Sequence, residues 1–124
     1  MILTIDTTIE PDVLVSLSGG GKDISKRVAA PRQQAEKLLP LIIKLLDSQK
    51  ISLKKIKEIR VQNQGGNFTS LRIGVLTANA LAYALGIEVK PLQGDGVFDF
   101  KGGRAVKPEY ESEPNIGRKK GPAC

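Results

Sequence analysis

Polar and apolar residues alternate through the opening of the chain. Ile2 to Asp6 alternates after a hydrophobic start, and Asp12 to Ser18 does so again, with Val13, Val15 and Leu17 on one face. A period of two predicts strands. Ser18-Gly19-Gly20-Gly21-Lys22 is turn chemistry, and Asp23 to Ala30 continues as a third strand, so an antiparallel meander is expected. The glycines are not read as a phosphate loop. The leading glycine of that motif would fall at Ser16, and Asp23 stands where serine or threonine should follow Lys22.

Past Pro31 the period changes to that of a helix, spanning about Arg32 to Ser48. Ala35, Leu38, Leu39, Ile42, Leu45 and Leu46 form its main stripe, and Leu41 and Ile43 widen the stripe to roughly 200° of arc. Pro40 inside the run removes one backbone hydrogen bond and bends the axis. Ser52 caps a short helix through Lys57, and Ile59 to Gln62 and Ile87 to Leu92 read as strands. Between those strands lies a helix with both ends written in the sequence. Gly65-Gly66 turns the chain, Asn67 caps the first turn, and Gly86 stops the last.

The faces of this second helix carry the functional signal. Phe68, Leu71, Val75, Ala78, Ala82 and Leu85 make one stripe, and Ile73, Leu76, Ala80 and Ala84 make a second on the opposite side. Only Arg72 and Asn79 clearly break the apolar ring. A helix apolar nearly all round is buried on more than one side. With two such helices, one side of each can face a sheet and the other wants a partner. Leu38, Leu41, Ile42, Leu45, Ile73, Gly74, Leu76 and Ala80 are the expected interface residues. Gly74 either admits a partner helix closely or touches the first helix of its own chain. Pairing of the two-helix patch with its like would give a homodimer when the chain is alone.

The same residues carry a resemblance. Asn67-Phe68-Thr69-Ser70-Leu71-Arg72-Ile73-Gly74, followed by Ala80-Leu81-Ala82-Tyr83-Ala84-Leu85-Gly86-Ile87, resembles the signature helix of the TsaB (YeaZ) family, whose usual form is GPGSFTGLRIG. The loop departs: Gln64-Gly65-Gly66-Asn67 replaces glycine-proline-glycine-serine, and Ser70 replaces a glycine. Ala35-Glu36-Lys37-Leu38-Leu39-Pro40-Leu41-Ile42 is similar to the family's first helix, with Gln33-Gln34 where members often carry a histidine.

The resemblance implies an α/β fold of the actin, sugar-kinase and Hsp70 type: a mixed sheet with an opening antiparallel meander and crossover helices. Family members have that lobe twice; this chain is expected to have it once, over residues 1–92. Residues 93–107 would form a hairpin in place of the second lobe, and residues 108–124 a tail resembling the one that closes family members. The resemblance further implies a non-catalytic scaffold subunit of the machinery that makes threonylcarbamoyladenosine beside the tRNA anticodon. Its helices would mate with a TsaD-like catalytic subunit, possible company being a TsaE-like ATPase. Contact with tRNA would be indirect, and ATP and metal would be handled by the partner subunits, with no cofactor bound by this chain alone.

Composition adjusts this picture only a little. The 124 residues, 40% hydrophobic and 26% charged, fit one ordinary globular domain. Histidine is absent and the single cysteine is Cys124, which leaves no common general base, no zinc set and no internal disulfide. No basic segment precedes an apolar one at the start, and a cytoplasmic location without membrane contact is expected. A net charge of +6 and the Arg118-Lys119-Lys120 run support a rival reading as a small basic RNA-binding module. Other rivals are a homodimeric scaffold with an unrelated partner, and a peptidase-like enzyme, against which the missing histidine weighs. Asp6-Thr7-Thr8 resembles the phosphate-binding aspartate turn of the fold superfamily, and Gly65-Gly66 before a helix is a generic anion site. Both have plain structural readings, as a strand end and a helix entry.

Overall fold

The computed structural model describes residues 1–100 and 103–109; the side chains of 98–100 are not considered. Strands β1 (Ile2–Asp6), β2 (Asp12–Gly19) and β3 (Lys22–Ala29) form the meander. Gly20 and Gly21 both have positive φ in its tight turn, the backbone sign that a two-residue hairpin requires. Helix α1 (Gln34–Ser48) crosses to β4 (Glu58–Val61), and α2 (Phe68–Leu85) crosses to β5 (Glu88–Pro91). The sheet order is β3-β2-β1-β4-β5, with β1 antiparallel to β2 and parallel to β4, and β4 parallel to β5. This is one lobe of the actin and sugar-kinase type, its connections being the two crossover helices. A separate hairpin follows, β6 (Val97–Phe100) paired with β7 (Gly103–Val106).

The alternation predicts which sheet face is covered. Leu3, Ile5, Val13, Val15, Leu17, Ile59, Val61 and Val89 are buried against α1 and α2. The other face carries Thr4, Ser16, Arg60 and Lys90, the polar half of the pattern that one solvated face produces. There Arg60 donates to Glu58, and Lys90 lies 3.3 Å from its other oxygen. The hydrogen bond from Arg60, reinforced by Lys90, holds the Glu58 carboxyl below its ordinary range.

The helices depart from expectation in detail. α1 begins at Gln34 because Arg32 sits at φ 62, a left-handed angle no helix contains. Its buried positions are Gln34, Leu38, Leu41, Ile42, Leu45 and Leu46. Ala35 and Leu39, expected in the main stripe, face outward instead, and Leu41 turns in. The short helix after Ser52 is a single 3-10 turn, Leu53–Lys55, with the Ser52 hydroxyl accepting from the Lys54 amide. α2 has the ends its sequence specifies. The Asn67 side chain accepts from the Ser70 amide at 2.7 Å, and Gly86 closes the helix at φ 67. α2 is long and apolar enough to cross a membrane by composition, and here one side of it packs on β4, β5 and α1.

Candidate functional site

Four segments meet at the carboxyl end of β1. Asp6 ends the strand, and its Oδ1 accepts from both the amide and the hydroxyl of Thr8, at 2.8 and 2.6 Å. Thr7 is fully buried, and its hydroxyl donates to the Ser70 carbonyl at 2.6 Å. Gln34, at the start of α1, donates to the carbonyls of Thr7 and Asp12 at 3.0 and 2.9 Å, while its own oxygen accepts from the Ser70 hydroxyl at 2.6 Å. The four segments are thereby joined through buried, mutually satisfied groups, an arrangement that fixes geometry. Gln34 and Ser70 were not singled out as site residues in the sequence. The signal for both lies in the departures from the family pattern: Gln34 belongs to the Gln33-Gln34 pair where members often carry a histidine, and Ser70 replaces a glycine.

The glycines belong to this junction. A Cβ at Gly66 would lie 2.9 Å from the Thr8 Cα, and one at Gly74 would lie 2.5 Å from the Thr7 hydroxyl oxygen. Gly66 also has φ 69, so both space and backbone angle require glycine there. Gly65 has φ 91 with open space around it. The expected phosphate residues Asp6, Thr7, Thr8, Gly65 and Gly66 thus come together. The two threonine hydroxyls and Asp6 Oδ1, however, are spent on internal bonds, and Gly66 packs down onto Thr8. Beside them a cleft of about 290 Å³ opens between the starts of the two helices, lined among others by Glu10, Arg32, Gln34, Thr69 and Ile73. Glu10 accepts from the Asn67 backbone amide at its rim. Among the described residues no cluster of three or more His, Cys, Asp or Glu side chains is placed to hold a metal ion.

The expected interface residues separate into two groups. Leu38, Ile42 and Leu45 are fully buried and Leu41 is 8% exposed, all within this chain's own core, so the sheet covers them and no partner is needed to do so. Gly74 is buried as well, and its close neighbour is Thr7 at the end of β1, neither a partner nor α1. Ile73 is half-buried on the cleft. Leu76 and Ala80 face outward. The large apolar residues that remain exposed on the two helices are Leu39 (47%) and Ile43 (49%) on α1, and Phe68 (37%), Leu76 (57%) and Tyr83 (64%) on α2.

A model of the family described as TsaD, tRNA N6-adenosine threonylcarbamoyltransferase, matches residues 27–93. Among solved structures, YeaZ from Pseudomonas aeruginosa superposes with a TM-score of 0.70 at 32% identity over 74% of this chain. This chain belongs to the YeaZ (TsaB) family. A second structure, of an uncharacterized Pseudomonas aeruginosa protein with similarity to peptidase YEAZ, gives the same TM-score of 0.70 and identity of 32%, again over 74% of this chain. The match spans 43% and 42% of those two chains, less than half of each. No curated protein sequence matches significantly.

In this YeaZ-family chain the segment after β5 returns to the lobe. Asn79, one of the two polar breaks on α2, donates to the Val106 carbonyl at 3.0 Å and accepts from the Val106 amide at 2.9 Å. Val106 is fully buried and Ala105 nearly so, which brings β7 onto α2 and β5. Beyond it Glu109 bonds back to the end of β4. Its amide donates to the Asn63 carbonyl at 2.7 Å, and its carboxylate accepts from Gln64 at 2.7 Å and from Asn63 at 3.3 Å. The remainder of the expected tail, residues 110–124, lies outside the described residues, and with it the Arg118-Lys119-Lys120 run.

Proposed function

We propose that this chain serves as a non-catalytic subunit in tRNA threonylcarbamoylation, presenting the outer sides of α1 and α2 to a TsaD-like catalytic subunit. The observation that carries the reading is the apolar set Leu39, Ile43, Leu76 and Tyr83, exposed on two neighbouring helices of a family member. Leu39 and Ile43 lie one turn apart on α1, and Leu76 and Tyr83 two turns apart on α2, so each helix presents an apolar stripe of the kind that marks an interaction surface. The junction at Asp6 supports the non-catalytic part. Asp6 Oδ1 accepts both bonds from Thr8, and the Thr7 and Thr8 hydroxyls donate to neighbouring oxygens, so the two threonines serve to hold the junction together. ATP and metal chemistry would then fall to the TsaD-like subunit and a TsaE-like ATPase.

Co-expression with the TsaD-like protein of the same source tests this directly. The two should co-purify at equal stoichiometry and restore threonylcarbamoyl transfer to tRNA, while this chain alone neither hydrolyses ATP nor modifies tRNA. Failure to co-purify, with the chain folded, would sink the partner assignment. In the absence of that partner the same face favours a homodimer, because water would otherwise cover it.

A further inference from the structure

The opposite end of the sheet from Asp6 carries a second feature. Lys22, Lys50, Lys55 and Lys57 line one open cleft of about 620 Å³ beside the amino end of β1. They arrive from separate segments: Lys22 opens β3 after the glycine turn, Lys50 follows α1, and Lys55 and Lys57 flank the step into β4. All four are exposed, no carboxylate lines the cleft, and none of the four makes an ion pair with a described carboxylate. Uncompensated like charges around one cavity repel each other and attract anions.

Lys50 gives the cleft a position that can be changed cleanly. It sits at φ 54, and the amides of Lys50 and Ile51 bond back to the carbonyls of Asp47 and Leu46. That is the left-handed closing position of a helix, which glycine fills without steric cost and lysine does not. The backbone there gains nothing from a lysine, so replacing it by glycine removes the charge without straining the fold.

We propose that this cleft binds the phosphates of an RNA strand. The lysines stand apart along an open cleft, with none of the buried donors that would enclose a single small anion. Ammonium groups on flexible stems act as point charges and suit a run of phosphates better than one oriented group. The Gly20-Gly21 turn beside Lys22 has nothing within 4 Å of where its side chains would begin, so a strand can pass over the rim. No aromatic residue lines the cleft, which makes the contact one to the sugar-phosphate backbone and indifferent to base sequence. The inference stands on this cleft and does not depend on what covers α1 and α2.

The test is fluorescence anisotropy of the full chain with a labelled anticodon stem-loop RNA across a salt series. Four phosphate contacts give a log–log salt slope of about −3. Lys50→Gly combined with Lys55→Gln should weaken binding about tenfold at low salt and flatten the slope by about 1.5. Its melting temperature should hold or rise, since glycine fits position 50. The control Lys37→Gln with Lys107→Gln removes equal charge elsewhere and should bind within about twofold of the parent. Equal loss in the control would reduce the effect to net charge and overturn the proposal. Displacement of the RNA by tripolyphosphate, or by polyglutamate, at a lower anion concentration than unlabelled RNA requires would assign the cleft to a small polyanion or an acidic protein and likewise overturn it. Absence of RNA binding at low salt would do the same.

Discussion

The Asn79 carboxamide completes both backbone hydrogen bonds of Val106, donating to its carbonyl at 3.0 Å and accepting from its amide at 2.9 Å. A side chain on α2 thus does for β7 what a neighbouring strand would do, and the hairpin is tied to the lobe through a residue that is itself fully buried. Replacing Asn79 by leucine keeps the branched shape but leaves two polar groups without partners where water cannot easily reach them. An unsatisfied buried group costs about 1–3 kcal/mol. Asn79→Leu should therefore lower stability by about 2 kcal/mol and release amide protection at residues 103–106 before the central sheet. Unchanged exchange at Val106 would show that the hairpin is held by packing alone.

Gly74 and Thr7 give a second test. Alanine normally improves a helix by about 1 kcal/mol over glycine. Here its methyl group would lie 2.5 Å from the Thr7 hydroxyl oxygen, and that hydroxyl is fixed by its bond to the Ser70 carbonyl. Gly74→Ala should destabilise by about 1–3 kcal/mol, as overpacked cores do. Adding Thr7→Ala should recover part of that loss, giving a coupling of at least about 1 kcal/mol between the two positions. A melt at or above the parent for Gly74→Ala alone would show that the two elements slide apart freely.

What was legible in the sequence was what nearby residues decide. The meander follows from period-two alternation and the glycine turn, and α2 from Asn67 and Gly86, each of which acts within a turn of its own position. The start of α1 was not legible, because the left-handed angle of Arg32 is imposed by the chain entering the junction and not by arginine. Gly74 shows the limit most clearly. A close-packing role could be read from a glycine inside a helix, but its neighbour Thr7 lies at the far end of another element, and only the register of β1 against α2 brings them together. Asn79 read as a polar break in an apolar ring, whereas its partner lies on a hairpin that the helix pattern says nothing about. The outward placement of Leu39 and inward placement of Leu41 likewise depend on how α1 is rotated on the sheet, and a stripe roughly 200° wide permits several rotations.

Glu58 links stability to pH. Its carboxyl is held below the ordinary value of 4.5, first by the hydrogen bond from Arg60 and then by Lys90. A group whose pKa is lower folded than unfolded stabilises the fold above its unfolded value, and the contribution disappears as pH falls through the folded one. Glu58→Gln should thus melt below the parent at neutral pH, with the difference shrinking as the pH drops under about 4.5. A difference independent of pH would mean that the ion pairs with Arg60 and Lys90 contribute nothing to it.

The outer helix face gives the prediction on which the proposed function turns. Ile43 and Leu76 are about half exposed, so a charge at either position meets water in the isolated chain and disturbs little. Ile43→Glu and Leu76→Glu should each leave stability within about 0.5 kcal/mol, the usual range for surface changes. In an association that buries these side chains the same carboxylates would have to be desolvated without a partner, which costs far more than the lost apolar contact. Binding to a TsaD-like subunit, and self-association in sedimentation when that subunit is absent, should then weaken about tenfold or more for each variant. Leu38→Ala supplies the contrast. It opens a cavity in the core, so it should lower stability by about 2–5 kcal/mol and affect association only through the unfolded fraction. Should Leu38→Ala abolish binding in the folded protein while Ile43→Glu and Leu76→Glu bind normally, the partner surface is not on the outer sides of α1 and α2. The lobe would then have to engage its partner through the cleft between the helix starts, where Arg32, Thr69 and Ile73 would become the residues to change.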